Sequence, residues 1–471
     1  MTRRLVPVAL WSAVFLLLAL LALARPVDHD ESQYVAATVL AVRGLPYSDF
    51  AYLQTPLQPL LFAPVAMLAG GGAWIALRLV NAALGVLTLL LVARAARVAG
   101  ATRTMATAAA LLMGACDSFL FSAAAARNDM LPAALLSGGL VAVLAPPTRG
   151  RALLAGLLLA GAAAAKLSYA APALAYGAYA LADRARRPAW LALGALPAAL
   201  LVAALAAAAP EAFAFEVLRF PHAGPADWYA RANPAKLALA TKAFDALKFL
   251  ALGPALLALG FGWRGRSPVL ALFLLAGALA SLAPFPTWRQ YLLPLLPPLF
   301  VQLARGWSVA APSRPLRIAT AIFVGAGLSL SIEALLGAAR QGLAMPRAAR
   351  ESDAIGAALR GTGAGGAVAT LSPQYLPAAG LAIDPRFAAG PFYFRGEGLL
   401  DPAAERRLHL LSPATLPTAP LGPVLTGAEP DGDAALAATA RARGYHPIRV
   451  DGTRFTLWLP PKPLARAREA S

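Results

Sequence analysis

Cysteine is nearly absent. Cys116 stands alone in 471 residues, so no intrachain disulfide can form and a disulfide-stapled scaffold is excluded. It lies in an apolar stretch and is expected to pack in the core. Histidine is scarce as well: His29, His222, His409 and His446 are scattered, without metal-ligand spacing. Charge is thin, at 14% of residues, against roughly 25% in soluble domains. Apolar residues take its place, at 59% of the chain with a mean hydropathy of +0.63. A soluble protein of this composition has too few polar groups to cover its surface. Runs such as Leu5–Ala24, Leu84–Val92 and Leu316–Leu336 are too long and too clean for soluble core helices. They define a polytopic membrane protein and exclude a disordered or collagenous chain.

Acids are few relative to bases: 23 against 41, for a net charge of +18. In a soluble protein that excess points to nucleic acid. Here most of it sits in short loops between apolar segments, so it reads as topology, and no nucleic-acid partner is expected.

Arg3 and Arg4 precede an apolar run long enough to span a bilayer. The pattern resembles a signal peptide, but Arg25-Pro26 and an acidic cluster follow it instead of a small-residue cleavage site. A retained first helix with a cytoplasmic N-terminus is expected. The apolar segments after Leu5–Ala24 are Ala73–Val92, Thr104–Ser122, Met130–Ala145, Ala152–Ala165, Ser168–Ala182, Ala189–Ala209, Ala246–Gly262, Pro268–Pro284, Tyr291–Ala304 and Leu316–Gly337. They amount to about eleven crossings, some short for the roughly 17–25 residues of a spanning helix. Alternate loops then carry Arg94/Arg97/Arg103, Arg149/Arg151, Arg184/Arg186/Arg187, Arg264/Arg266 and Arg305/Arg314/Arg317 on the same side as Arg3 and Arg4. The positive-inside rule makes that side the cytoplasm of an inner (plasma) membrane and puts the C-terminal segment outside.

The opposite loops differ. Residues 25–72 hold acids (Asp28, Asp30, Glu31, Asp49), the aromatics Tyr34, Tyr47 and Tyr52, and two amphipathic stretches, Ser32–Arg43 and Leu57–Leu68, expected to lie in the interface plane. Pro210–Asp245 holds Arg219, His222, Asp227, Trp228, Tyr229, Arg231 and Lys236. After Gly337, glycine, proline and charge rise and no span remains. Helices are expected at Glu351–Arg360 and Ala434–Arg443. Strands are expected at Ala367–Leu371, Val424–Thr426, Pro447–Val450 and Phe455–Leu459, the last two flanking an Asp451-Gly452 hairpin. Residues 338–471 thus read as a small extracytoplasmic α/β domain, and residues 1–337 as the membrane domain.

Three groups of residues can carry chemistry. Asp28-His29-Asp30-Glu31 follows the first span; it reads either as a solvated helix start capped by Asp30 or as a source of a carboxylate base for an attacking hydroxyl. Arg127-Asn128-Asp129 enters a span at the same outer side; Asp129 is a cap or a functional acid there, and Arg127 a snorkelling or a binding cation. Arg78, Lys166 and Arg289 fall on the outer side against the positive-inside trend. Interfacial snorkelling accounts for each singly, and a phosphate ligand accounts for all of them together.

In order and topology the chain resembles the GT-C glycosyltransferases of the protein O-mannosyltransferase and lipid A aminoarabinose transferase type. The matching text is Asp30-Glu31-Ser32-Gln33-Tyr34, Gly44-Leu45-Pro46-Tyr47, Tyr52-Leu53-Gln54-Thr55-Pro56, Arg78-Leu79-Val80-Asn81, Arg127-Asn128-Asp129-Met130, Ala165-Lys166 and Arg289-Gln290-Tyr291, within residues 25–298. The resemblance implies a polyprenyl-phosphate sugar donor used on the outer face, an acceptor hydroxyl on a lipid, glycan or protein, and displacement with inversion. It makes Asp30 the base or the group that orients the acceptor, supported by Glu31 and Asp129. It gives Arg78, Arg127, Lys166 and Arg289 to the donor phosphate, and Asp28, Tyr34, Tyr52, Gln54, His222 and Tyr291 to substrate contacts. No metal and no cofactor is expected. Some relatives carry Arg where this chain has Gln33, and an acid–Lys pair where it has Gln54-Thr55. Three other functions compete. A lipid-linked glycan flippase or transporter needs midplane charges and inverted repeats, and few charges lie inside the spans. A scaffold would act through the outer domain, and an O-antigen ligase would use a lipid pyrophosphate donor.

Overall fold

The computed structural model describes residues 2–261, 267–396 and 398–461. Arg264 and Arg266, one of the expected cytoplasmic pairs, lie outside them. The chain is mostly helical, and the apolar segments fold as helices close to their expected bounds: Thr2–Ala24, Ala73–Val98, Met130–Leu144, Arg149–Ala165, Pro188–Ala208, Pro268–Leu282 and Arg314–Gln341. Among the described residues, four stretches are long and apolar enough to cross a membrane (Pro7–Ala24, Leu57–Val98, Pro188–Ala208 and Arg314–Gln341), or up to five if a bent pair counts as one span.

Several segments differ from the sequence expectation. Thr104–Ser122 is two helices, Arg103–Gly114 and Asp117–Ala123, bent by 73°. The break falls where Asp117 interrupts the apolar run and its backbone N–H turns to the Leu252 carbonyl. Ala246–Gly262 breaks at Leu252-Gly253-Pro254 into Leu239–Ala251 and Ala255–Phe261, because proline cannot supply the interior N–H of a continuous helix. Tyr291–Ala304 begins as a 3-10 turn, Arg289–Leu292, and becomes helical only over Leu296–Val309. The stretch Ser32–Arg43 forms the helix Glu31–Leu40, which is buried from Glu31 to Thr38 rather than laid on a surface. The C-terminal segment covers it: a Cβ on Gly390 would stand 2.1 Å from Ser32 Oγ. Leu57–Ala69 leads through Gly70–Gly72 into Ala73–Val98.

Small residues let helices close in. A Cβ on Gly156 would lie 1.9 Å from the Leu191 carbonyl oxygen, and one on Gly194 would lie 1.9 Å from that of Leu153. These two glycines make the contact of Arg149–Ala165 with Pro188–Ala208, as small residues do between membrane helices.

Beyond Gln341 the chain forms the helix Ala344–Thr362, the helix Pro430–Ala442 and three strands, β1 (Val424–Thr426), β2 (His446–Arg449) and β3 (Thr456–Leu459). The sheet is antiparallel in the order β1-β3-β2, with Val424 opposite Trp458 and Ile448 opposite Leu457. Gly452 takes φ 68° in the β2–β3 turn, the conformation that glycine makes easy. Ala367–Leu371 forms isolated bridges through Val368 and Ala369 instead of a regular strand. One apolar cluster joins this segment to the first loop and its helices: Val35, Trp74 and Leu77 pack in it with Tyr375, Leu376 and Leu457. That shared core fixes the C-terminal segment over the site.

Candidate active site

The helix Glu31–Leu40 and the loop before it bring the acidic motif against the turn at 124–129. Asn81 holds that turn, donating from Nδ2 to the carbonyls of Ala125 (2.6 Å) and Arg127 (2.8 Å). The Arg127 guanidinium, 3% exposed, then reaches three carboxylates. It donates to Asp28 at 2.9 Å, to Asp129 at 2.9 Å, and to Asp30 in a shorter contact. Lys166, at the end of Arg149–Ala165, pairs with the other oxygen of Asp129. A buried guanidinium is stable only when its charge is met, and here Asp28, Asp30 and Asp129 meet it.

These groups border a cavity of about 460 Å³. Asp28, Asp30, Tyr34, Gln54, Arg127, Lys166, Arg289 and Tyr291 all line it. Its wall carries six cations (Arg127, Lys166, Lys236, Lys248, Arg289 and Arg395) against three carboxylates, Asp28, Asp30 and Asp245. That excess favours an anionic ligand. Aromatic faces stand among the charges: Lys166 Nζ lies 5.6 Å from the Tyr291 ring centre, and Lys236 Nζ lies 5.1 Å from that of Trp288.

Five expected site residues lie outside the lining. Glu31 and Arg78 are both fully buried and pair with each other. Arg78 spends its remaining donors on the carbonyls of Ala22, Arg25 and Pro26, so none is left for a phosphate. Glu31 also accepts from Trp74 Nε1, Asp28 N and Ala126 N, which makes it the post on which the acidic loop and the 124–129 turn hang. Tyr52 is buried behind the wall and donates to Gln58 Oε1 at 3.0 Å. His222 is exposed on the helix Phe220–Ala232, outside the cavity lining. Asp129 is the fifth, buried behind the lining and paired with Arg127 and Lys166.

Other residues join the site with little warning in the sequence. Asp117, 1% exposed, pairs with Arg25 at 3.3 Å and Arg289 at 3.0 Å. Its signal is an acid inside an apolar run. Phe121 sits under three guanidiniums, with Arg289 3.7 Å, Arg127 5.1 Å and Arg25 5.5 Å from its ring centre. Phe392 and Arg395 reach the cavity from the C-terminal segment, and only tertiary folding brings them there. Ligand atoms of Asp28, His29 and Asp30 lie within 4.8 Å of one another and offer three positions to a metal ion. Both carboxylates already face the Arg127 guanidinium, with which an ion would compete.

No family model and no curated protein sequence matches the chain. Solved structures do. ArnT from Cupriavidus metallidurans, bound to undecaprenyl phosphate, superposes with a TM-score of 0.60 at 18% identity, over 96% of this chain and 97% of that one. The same protein in the apo state gives the same values. The S. cerevisiae protein O-mannosyltransferase Pmt1-Pmt2 complex bound to the sugar donor covers 44% of this chain and 31% of its own at a TM-score of 0.32 and 18% identity. The chain therefore has the fold of ArnT over 96% of its length. It is the fold that the resemblance in the sequence calls for.

Proposed function

We propose that this protein is an integral membrane glycosyltransferase that moves a sugar from a polyprenyl-phosphate donor to an acceptor hydroxyl on the extracytoplasmic face. The observation that carries the reading is the Arg127 cluster: carboxylates and cations meet on one wall of a cavity with excess positive charge. The fold shared with ArnT, solved with undecaprenyl phosphate bound, supports the choice of donor.

In this mechanism the donor phosphate lies among Arg127, Lys166 and Arg289. The acceptor oxygen attacks the anomeric carbon as the bond from that carbon to the phosphate oxygen breaks. The proton of the acceptor passes to Asp30, and polyprenyl phosphate leaves with the negative charge. Cations placed where charge develops stabilise that step, and a carboxylate beside the hydroxyl supplies the base. Direct displacement inverts the anomeric centre. Asp28 lines the same wall and positions the acceptor; Tyr34, Gln54 and Tyr291 border the sugar. Arg78 and Glu31 hold the loop and take no part in the chemistry.

The test is sugar transfer by Asp30→Asn in purified membranes supplied with a polyprenyl-phosphate sugar. Loss of transfer with normal abundance and insertion is expected. Undiminished transfer by that variant excludes Asp30 as the base.

A further inference from the structure

A second cavity, of about 470 Å³, lies behind the acidic loop. Its walls are Pro26-Val27 and His29, the helix Ala344–Thr362, the turn Pro373–Tyr375, and the residues Glu429 and Arg454. We propose that this cavity is a saccharide subsite and takes an uncharged, hydroxyl-rich sugar unit of the acceptor. As an acceptor subsite it rests on the glycosyltransferase reading; as a sugar site it does not.

Three observations point to that ligand. The first is charge. The main cavity has twice as many cations as carboxylates, whereas here the lining holds two arginines, Arg347 and Arg454, and two glutamates, Glu351 and Glu429. A balanced wall has no preference for phosphate. The second is an orphan: Gln374 is 1% exposed, lines the cavity, and its Oε1 has no hydrogen-bond partner among the described residues. Buried polar atoms are nearly always partnered; Oε1 is closed to solvent as the side chain stands, and a turn of the Gln374 amide toward the cavity gives it a ligand donor. The third is the set of groups. Carboxylate, guanidinium and amide are planar and offer paired acceptors or donors. Adjacent sugar hydroxyls, each both donor and acceptor, match such pairs. Tyr375 is fully buried beneath the cavity, and its hydroxyl accepts from Arg454 Nη2 at 2.5 Å, which fixes that guanidinium at the wall.

Position ties the cavity to the reaction. His29 lines both cavities, and its Nε2 stands 3.1 Å from Asp30 Oδ1. A sugar held here is separated from the proposed base by a single imidazole.

The experiment is saturation-transfer NMR on the full chain in nanodiscs, with glucose, galactose and N-acetylglucosamine as probes at up to about 20 mM, a range that detects millimolar dissociation constants. At least one probe is expected to bind, and neither inorganic phosphate nor undecaprenyl phosphate is expected to displace it. Gln374→Leu, close in volume, is expected to weaken binding at least tenfold, because the apolar side chain leaves the sugar's hydroxyls unpaired. Glu351→Ala and Arg454→Ala, at partly exposed positions, are expected to give similar losses and serve if Gln374→Leu does not fold. Absence of binding by all three sugars overturns the proposal. So does displacement by phosphate, or wild-type binding in the folded variants. Sugar binding in a protein that transfers nothing from a polyprenyl-phosphate donor leaves this site standing and removes the glycosyltransferase reading.

Discussion

Arg78 donates from Nε to Glu31 Oε1 at 2.7 Å, and neither side chain is exposed to any extent. The pair joins the C-terminal end of the first helix to the helix Ala73–Val98 and suspends the backbone of Asp28 and Ala126 beside it. Removing one partner of a buried ion pair leaves an unmet charge, at a cost of about 3–5 kcal/mol. Glu31→Ala and Arg78→Ala are each expected to lower abundance and melting temperature in detergent, which Asp30→Asn is not. Wild-type thermal stability in Arg78→Ala, with loss of donor binding alone, would return Arg78 to the phosphate site.

Asp129 neutralises Arg127 and Lys166 together and sets both cations against the cavity. In Asp129→Asn the amide meets neither charge fully, and the two cations repel across a buried site. Affinity for undecaprenyl phosphate is expected to fall about tenfold, equivalent to about 1.4 kcal/mol. Titration by native mass spectrometry reads this directly; an unchanged Kd would separate Asp129 from the donor phosphate.

Gly156 and Gly194 permit an approach that no side chain tolerates. Gly156→Val forces the helices apart and is expected to cost at least about 1–3 kcal/mol, the usual range for overpacking. Gly150, on the same helix, has open space where its Cβ would stand, so Gly150→Ala is the control and should melt as wild type. Equal melting temperatures for the two variants would mean that the helices do not cross there.

Glu216 lies in the π-helical turn Ala214–Arg219, buried, and accepts from the Tyr52 backbone N–H at 2.7 Å. Burial pushes its carboxyl well above the ordinary range, and the Tyr52 hydrogen bond offsets this only in part. The folded protein keeps this proton after the unfolded chain has lost it. Stability therefore declines as pH rises from the ordinary glutamate range toward the raised pKa of the folded state. Glu216→Gln keeps the acceptor and has no proton to lose. Its melting temperature is expected to flatten against pH across that window; a slope equal to wild type refutes the assignment.

The acidic motif, the Arg127–Asp129 pair and Lys166 are legible in the sequence because ionisable groups beside apolar spans are rare and costly. Composition alone fixes a membrane protein, since the chain has no other way to satisfy so much apolar surface. The roles of those charges are not legible. Glu31 follows Asp30 directly, yet their side chains leave the helix start about 100° apart: Asp30 meets the cavity and Glu31 meets Arg78. Arg78 and Arg289 look alike as outer cations, but three backbone carbonyls saturate the first while the second lines the cavity.

Hydrophobic run length places most helices near their observed bounds, because it depends on neighbours along the chain, but it misses breaks such as those at Asp117 and Pro254. Which charge faces a cavity and which is sealed inside depends on groups far off in the sequence, such as Asn81, 46 positions before Arg127, holding its carbonyl, or Arg395 closing the far wall. Chain folding alone makes those contacts, because burial and pairing of a charge are set by whatever packs around it in space.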